Sequence, residues 1–238
     1  MEIFNKKIDN SSLVNSIQKH INKLAVEIGP RPVVNEQSIK KTEKYITNYF
    51  ENIGLEVKQQ RYKYHNYDIA NVIAGSQKNL LSSKYYIIGA HYDSVPETYG
   101  ADDNASGIAV LLELARYTIQ EKISLPVCFV AFTAEEPPTF GTRHQGSKVF
   151  VKSVIEKKDK ILGAIILEMV GFTSNEQTYP MFLKWMGYPL KGNFIGIVGN
   201  RKSKKFGQSI FQSFKKMHNC QWKPYLFHLT VGFFLIQG

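Results

Sequence analysis

The chain has 238 residues and a mass of 27.2 kDa, room for one large α/β domain or two small ones. Its 43% apolar and 21% charged residues are an ordinary globular composition, which excludes a disordered or fibrous chain. Thirty Lys and Arg against 20 Asp and Glu give a net charge of +10 and a pI near 9.4. The basic residues fall in short scattered groups such as Lys6-Lys7, Lys157-Lys158 and Lys204-Lys205. No recognition module accompanies them, so they indicate a solvated basic surface and no specific nucleic-acid partner. No run approaches the roughly 18 apolar residues of a membrane span, so no membrane partner is expected. The first 16 residues contain no apolar signal region, and a cytoplasmic location is expected. Two cysteines, Cys128 and Cys220, do not make a disulfide framework. No pattern sets an oligomeric state.

In chain order, Leu13 to Ile28 carries apolar residues at a 3.6-residue period and predicts an amphipathic helix ended by Gly29-Pro30. A second helix is predicted from Gln37 to Ile53, stopped by Gly54. Residues 56–64 alternate as a strand, and 69–74 form a short apolar one. Residues 85–90 are nearly continuously apolar, as in a strand covered on both faces. A strongly periodic helix over 105–118 follows, then a buried strand over 126–132 and a helix over 147–156. A third buried strand over 161–167, a fourth over 194–198 and a helix over 203–216 complete the series. Strands alternating with helices predict an α/β fold with a doubly wound, mainly parallel mixed sheet in one domain spanning 1–238.

In such sheets ligands bind beyond the carboxyl ends of the strands. The strand over 85–90 runs into His91-Tyr92-Asp93, and the loop after it contains Asp102-Asp103-Asn104. The strand over 126–132 ends in Thr133-Ala134-Glu135-Glu136, and the one over 161–167 ends in Glu168. Singly, these residues pass for helix caps, dipole partners and solvated loop acids. Together, acidic groups at one sheet edge repel unless cations neutralise them. Imidazole with carboxylates suits zinc. One His and at least three carboxylates exceed the needs of one ion, which suggests two ions sharing a carboxylate.

The segments IGAHYDS (88–94), GADDNASG (100–107), FTAEE (132–136) and ILEMVG (166–171) resemble the co-catalytic zinc aminopeptidase family. That family includes bacterial leucyl aminopeptidases and, more distantly, glutamate carboxypeptidase and glutaminyl cyclases. The resemblance covers residues 71–171. It implies that His91 and Glu168 bind one zinc, that Asp103 bridges to a second, and that Glu136 binds the second. Glu135 would be the general base, and Asp93 would hydrogen-bond the other ring nitrogen of His91. Asp102 would be a helix-start residue, and His144 a pocket wall. Peptides would be the substrates and hydrolysis of the N-terminal residue the reaction. Carboxypeptidase, glutaminyl cyclase (typically with one zinc) and a non-enzymatic homologue are the alternatives.

The C-terminal part departs from the family pattern. The family's last ligand is a His within Ser-Asp-His. Here His228 lies in FHLTVGFF with no Asp before it, and the chain stops at Gly238, so this part reads as incomplete. His228 is either the fifth metal ligand or a core or loop histidine. Without it the second zinc would have only Asp103 and Glu136 from protein, a weaker site with reduced or absent activity, and a single ion becomes possible where two are expected. Sheet edge and apolar surface would also be left uncovered.

Overall fold

In the computed structural model, which describes residues 10–176, 178, 190–215, 222–224 and 233–236, eight strands form one sheet. They are β1 (Glu56–Tyr64), β2 (Tyr67–Gly75), β3 (Lys84–His91), β4 (Val127–Phe132), β5 (Lys160–Ile166), β6 (Ile195–Gly199), β7 (Trp222–Pro224) and β8 (Phe233–Ile236). Their order across the sheet is β1-β2-β4-β3-β5-β8-β6-β7. β3 pairs parallel with β4 and β5, while β1–β2, β2–β4 and β5–β8 are antiparallel. The sheet is therefore mixed, with a parallel centre.

The central strands are apolar on both faces because helices cover both. β4 is buried at all six positions. On one face Ile88 and Ala90 of β3 join a core with Leu24, just beyond α1 (Asn10–Ile21), Ile46 and Phe50 of α2 (Glu36–Asn52), and Leu111 and Leu112 of α4 (Gly107–Gln120). On the other, Tyr85, Ile87, Cys128, Val130 and Phe132 pack with Phe150 and Val154 of α5 (Gly146–Lys157). A one-turn α3 (Gln77–Leu80) lies before β3, and α6 (Lys204–Lys215) sets Phe206 in a stack on Tyr86, ring centroids 6.1 Å apart.

The predicted boundaries shift little. The first helix starts three residues earlier, at Asn10, and its last stretch, Asn22–Ile28, widens into a π-helical turn before Gly29. The second is capped by the Asn35 side chain, which accepts from the Ser38 N–H at 3.2 Å, and is followed by Gly54 at φ +88°. β6 does not lie beside β5, because β8 sits between them, antiparallel to β5 and parallel to β6. The sequence pattern did not single out 222–224 or 233–236 as strands, since segments this short carry too few residues for a period to show. His218, Cys220 and His228 lie outside the described residues.

Helices α1, α2 and α4 meet through a buried polar cluster. His20 of α1 lies 3.1 Å from the Glu113 carboxylate of α4, which also accepts from Tyr49 at 2.7 Å, Ser16 at 2.8 Å and Arg116 at 2.9 Å. The Tyr45 hydroxyl closes the set against the other His20 ring nitrogen at 2.6 Å. A charge buried this way is tolerated because every neighbour donates to it.

Candidate metal centre

β4, β3 and β5 are adjacent and parallel, so their carboxyl ends open onto one edge. The register sets His91 beside Phe132, and the Tyr92 N–H donates to the Phe132 carbonyl at 2.9 Å. This aligns the turn after β3 with residues 133–136. On the other side the Leu167 N–H donates to the Gly89 carbonyl at 2.7 Å, which brings Glu168 to the same place. Ala134 and Met169, flanking the acidic residues, adopt left-handed φ of +58° and +46°. Such a conformation costs a non-glycine residue roughly 1 kcal/mol or more.

The side chains converge on His91, which is 2% exposed. Its Nε2 lies 3.0 Å from Asp103 Oδ1, 3.2 Å from Glu168 Oε1 and 3.9 Å from Glu135 Oε2. Two sets of three could each hold an ion: His91, Asp103 and Glu168, and His91, Glu135 and Glu136, with ligand atoms inside 4.8 Å of one another. One imidazole nitrogen carries at most one proton, so it cannot satisfy three carboxylates. Asp103 Oδ1 is buried without a hydrogen bond, and so is His91 Nδ1. Unpartnered donor atoms and crowded carboxylates are the chemistry of a cation site, and a nitrogen with oxygens suits zinc.

Neighbouring groups hold these residues still. Asp93, fully buried, accepts the Glu135 N–H at 3.1 Å on one oxygen and the Glu136 N–H at 3.0 Å on the other. Asn104 donates to the Leu167 carbonyl at 2.8 Å and to Glu168 Oε2 at 3.3 Å, and accepts from the Met169 and Gly107 N–H groups. A Cβ at Gly107 would lie 2.3 Å from the Asn104 side-chain oxygen, so only glycine fits there. Asp102 accepts from the Gly171 N–H at 2.8 Å and from the Ser106 hydroxyl at 3.2 Å. Gln145 donates to Glu135 Oε1 at 3.5 Å.

The field of the cluster shifts its own members. Burial raises the Glu135 and Glu136 carboxyls to about 7, and the surrounding Asp93 and Asp103 charges add to it. Burial works to lower His91, but the facing Asp103, Asp93 and Glu168 outweigh it and hold the ring well above its ordinary value. The contact with His91 lowers Asp103. A cluster that raises two carboxylates and a histidine together is short of positive charge.

The structure thus brings His91, Asp93, Asp103, Glu135, Glu136 and Glu168 to one place. Asp93 differs in detail from expectation. It lies 3.5 Å from His91 Nδ1 without hydrogen-bond geometry, and spends both oxygens on the amides of Glu135 and Glu136. Asp102 tethers the turn after Glu168 to the segment before α4 and belongs to neither cation set. The His144 ring packs edge-on against Tyr64, centroids 5.5 Å apart, and its carbonyl accepts from the Tyr62 hydroxyl. Sequence reasoning passed over Gln145 and Arg31, and took Asn104 only for a helix cap. Its cap-like bond to the Gly107 N–H is there, but its hold on Glu168 and Leu167 is not a sequence signal; nothing in the sequence marks Gln145 or Arg31.

Among curated proteins, YfbL of Escherichia coli, itself uncharacterized, is 35% identical over 201 residues, which are 77% of this chain and 58% of YfbL. The aminopeptidase YwaD of Bacillus subtilis is 36% identical over 131 residues, 55% of this chain and 27% of YwaD. The chain therefore spans a little over half of one relative and about a quarter of the other. Among solved structures, a putative Zn-dependent exopeptidase of Bacteroides vulgatus aligns with a TM-score of 0.55 at 27% identity, over 71% of this chain and 65% of that one. The glutaminyl cyclase of Porphyromonas gingivalis aligns with 0.57 at 25%, over 74% and 64%. Zinc is the metal this kinship implies, matching the nitrogen and oxygen donors around His91. Residues 68–221 carry the sequence pattern of Peptidase family M28, and the chain belongs to that family.

Proposed function

We propose that the chain is the catalytic domain of a zinc-dependent aminopeptidase that removes N-terminal residues from peptides. The observation that carries this reading is the pair Glu135-Glu136, held by both oxygens of Asp93 against His91, with Asp103 and Glu168 within 3.2 Å of its Nε2. His91, Asp103 and Glu168 would hold one zinc, and Asp103 with Glu136 a second, for which His228, outside the described residues, would be the further ligand if it is not a core or loop histidine. Zinc bound there would supply Lewis-acid polarisation of a scissile carbonyl and a water acidic enough to attack at neutral pH. Glu135, unlike Glu136, is assigned to no ion, so its carboxylate is free to take the proton from the attacking water and pass it to the leaving amine. Asp93 and Gln145 orient that carboxylate, and the half-buried setting strengthens each charge interaction. The buried free thiol of Cys128 is compatible with a reducing compartment, and we place the protein in the cytoplasm.

The likeness to a glutaminyl cyclase supports a second reading, cyclisation of an N-terminal glutamine, on the same scaffold. A single panel separates them: aminoacyl p-nitroanilides and glutaminyl peptides, assayed with metal analysis, on the wild-type chain and Glu135→Gln. Release of p-nitroaniline with two zinc ions per chain is expected. Ring closure of glutamine with one zinc overturns hydrolysis, and neither reaction overturns both readings.

A further inference from the structure

Arg31 is fully buried, yet no carboxylate hydrogen-bonds to it among the described residues. Its guanidinium donates instead to five backbone carbonyls: Leu24 and Gly29 at the end of the first helical segment, Tyr92 after β3, and Tyr99 and Gly100 in the turn before Asp103, all at 2.8–2.9 Å. Its own N–H and carbonyl pair with Ser94 at 3.0 and 3.2 Å. The turn presses on the arginine. Gly100 has φ +55°, and a Cβ there would lie 2.5 Å from the Asp103 carbonyl oxygen and 2.7 Å from an Arg31 nitrogen. The Gly100 carbonyl also accepts from the Ala105 N–H at 3.0 Å, so residues 100–105 are fixed at both ends.

We propose that Arg31 is the positioning residue of the metal centre: it clamps the 99–103 turn so that Asp103 faces His91, and its charge offsets the repulsion among the carboxylates. This rests on the zinc reading above. The opposing charges that act on the guanidinium are those of Asp93 and Asp103, and burial brings its pKa down only to about 10, so it stays charged at neutral pH. Only a planar fork of five N–H groups reaches carbonyls from three chain segments. A lysine ammonium has three donors at one point.

The test measures zinc affinity by competition with a chromophoric chelator, alongside thermal unfolding of the zinc-free protein. It compares the wild type with Arg31→Lys, Gly100→Ala and Glu113→Gln, the last a destabilised control in the polar cluster between α1, α2 and α4 and outside both cation sets. Arg31→Lys and Gly100→Ala are expected to bind zinc about 10- to 100-fold more weakly, the range for groups that orient metal ligands. Glu113→Gln should lower the unfolding midpoint and leave zinc affinity as in the wild type. Arg31→Lys binding zinc like the wild type, or no more weakly than Glu113→Gln, overturns the proposal and leaves the metal centre standing. If Arg31→Lys yields no folded protein, Gly100→Ala decides by the same criterion. A wild-type chain that binds no zinc overturns the centre itself.

Discussion

Asp93 holds Glu136 by its backbone: one carboxylate oxygen accepts the Glu136 N–H at 3.0 Å, while the other accepts that of Glu135 at 3.1 Å. A charged acceptor shared between two successive amides fixes where both glutamate side chains start. In Asp93→Asn one of those amides faces an NH2 group and loses its bond. The expected outcome is zinc binding weakened about 10- to 100-fold, read by chelator competition, with the fold retained by circular dichroism. Unchanged affinity would show that the pair is held by other means.

Glu135→Gln removes the proposed base and keeps the shape of the side chain. Turnover of aminoacyl substrates is expected to fall by a factor of about 10²–10⁴, while zinc content measured by atomic absorption stays at the wild-type level. Loss of zinc in parallel with activity would instead make Glu135 a ligand, as the set His91, Glu135 and Glu136 allows.

Removing the metal leaves Glu135 and Glu136, raised to about 7 chiefly by burial and further by the Asp93 and Asp103 charges, with no cation to offset their crowding. Dialysis against a chelator should lower the unfolding temperature, and added zinc should restore it in proportion to the logarithm of free metal above its dissociation constant. Calorimetry of the same sample with and without chelator checks this; identical curves would contradict a stabilising ion.

The His20–Glu113 cluster makes the fold acid-labile. Burial works to raise Glu113, but the Arg116, Tyr49, Ser16 and His20 donors outweigh it and lower the carboxyl to about 2. A carboxyl lowered on folding stabilises above its unfolded value of about 4.5 and loses that contribution as pH falls toward 2. His20 is lowered chiefly by burial, so protonation of the unfolded ring opposes folding as pH drops below about 6.5. Both act in the same direction. Urea midpoints should therefore decline from pH 7 to pH 3, and Glu113→Gln should flatten the lower part of that slope. A midpoint independent of pH there would remove the cluster from the account.

Leu111 is fully buried where α4 meets the sheet. Leu111→Ala is expected to cost about 2–5 kcal/mol through lost transfer energy and the cavity left behind. Chemical denaturation reads the change, and a loss under about 1 kcal/mol would mean the site collapses around the smaller side chain.

Much of this molecule was written along the chain. Apolar runs over 85–90 and 126–132 announced strands covered on both sides, because a strand sandwiched between helices has no wet face to mark with polar residues. His91, Glu135, Glu136 and Glu168 stood out because each follows such a run where the sheet opens, and Asp103 because it lies in the loop after the first of them. The partnerships did not show. That Asp93 turns to the amides of Glu135 and Glu136 depends on the His91–Phe132 register, and that Arg31 reaches Tyr99 and Gly100 depends on how the first helical segment lies against residues 101–106. Hydrogen bonds between residues 40 to 70 positions apart have no period and no spacing rule. Tertiary packing alone decides them, and it decided which of the acidic residues face one another and which face the backbone.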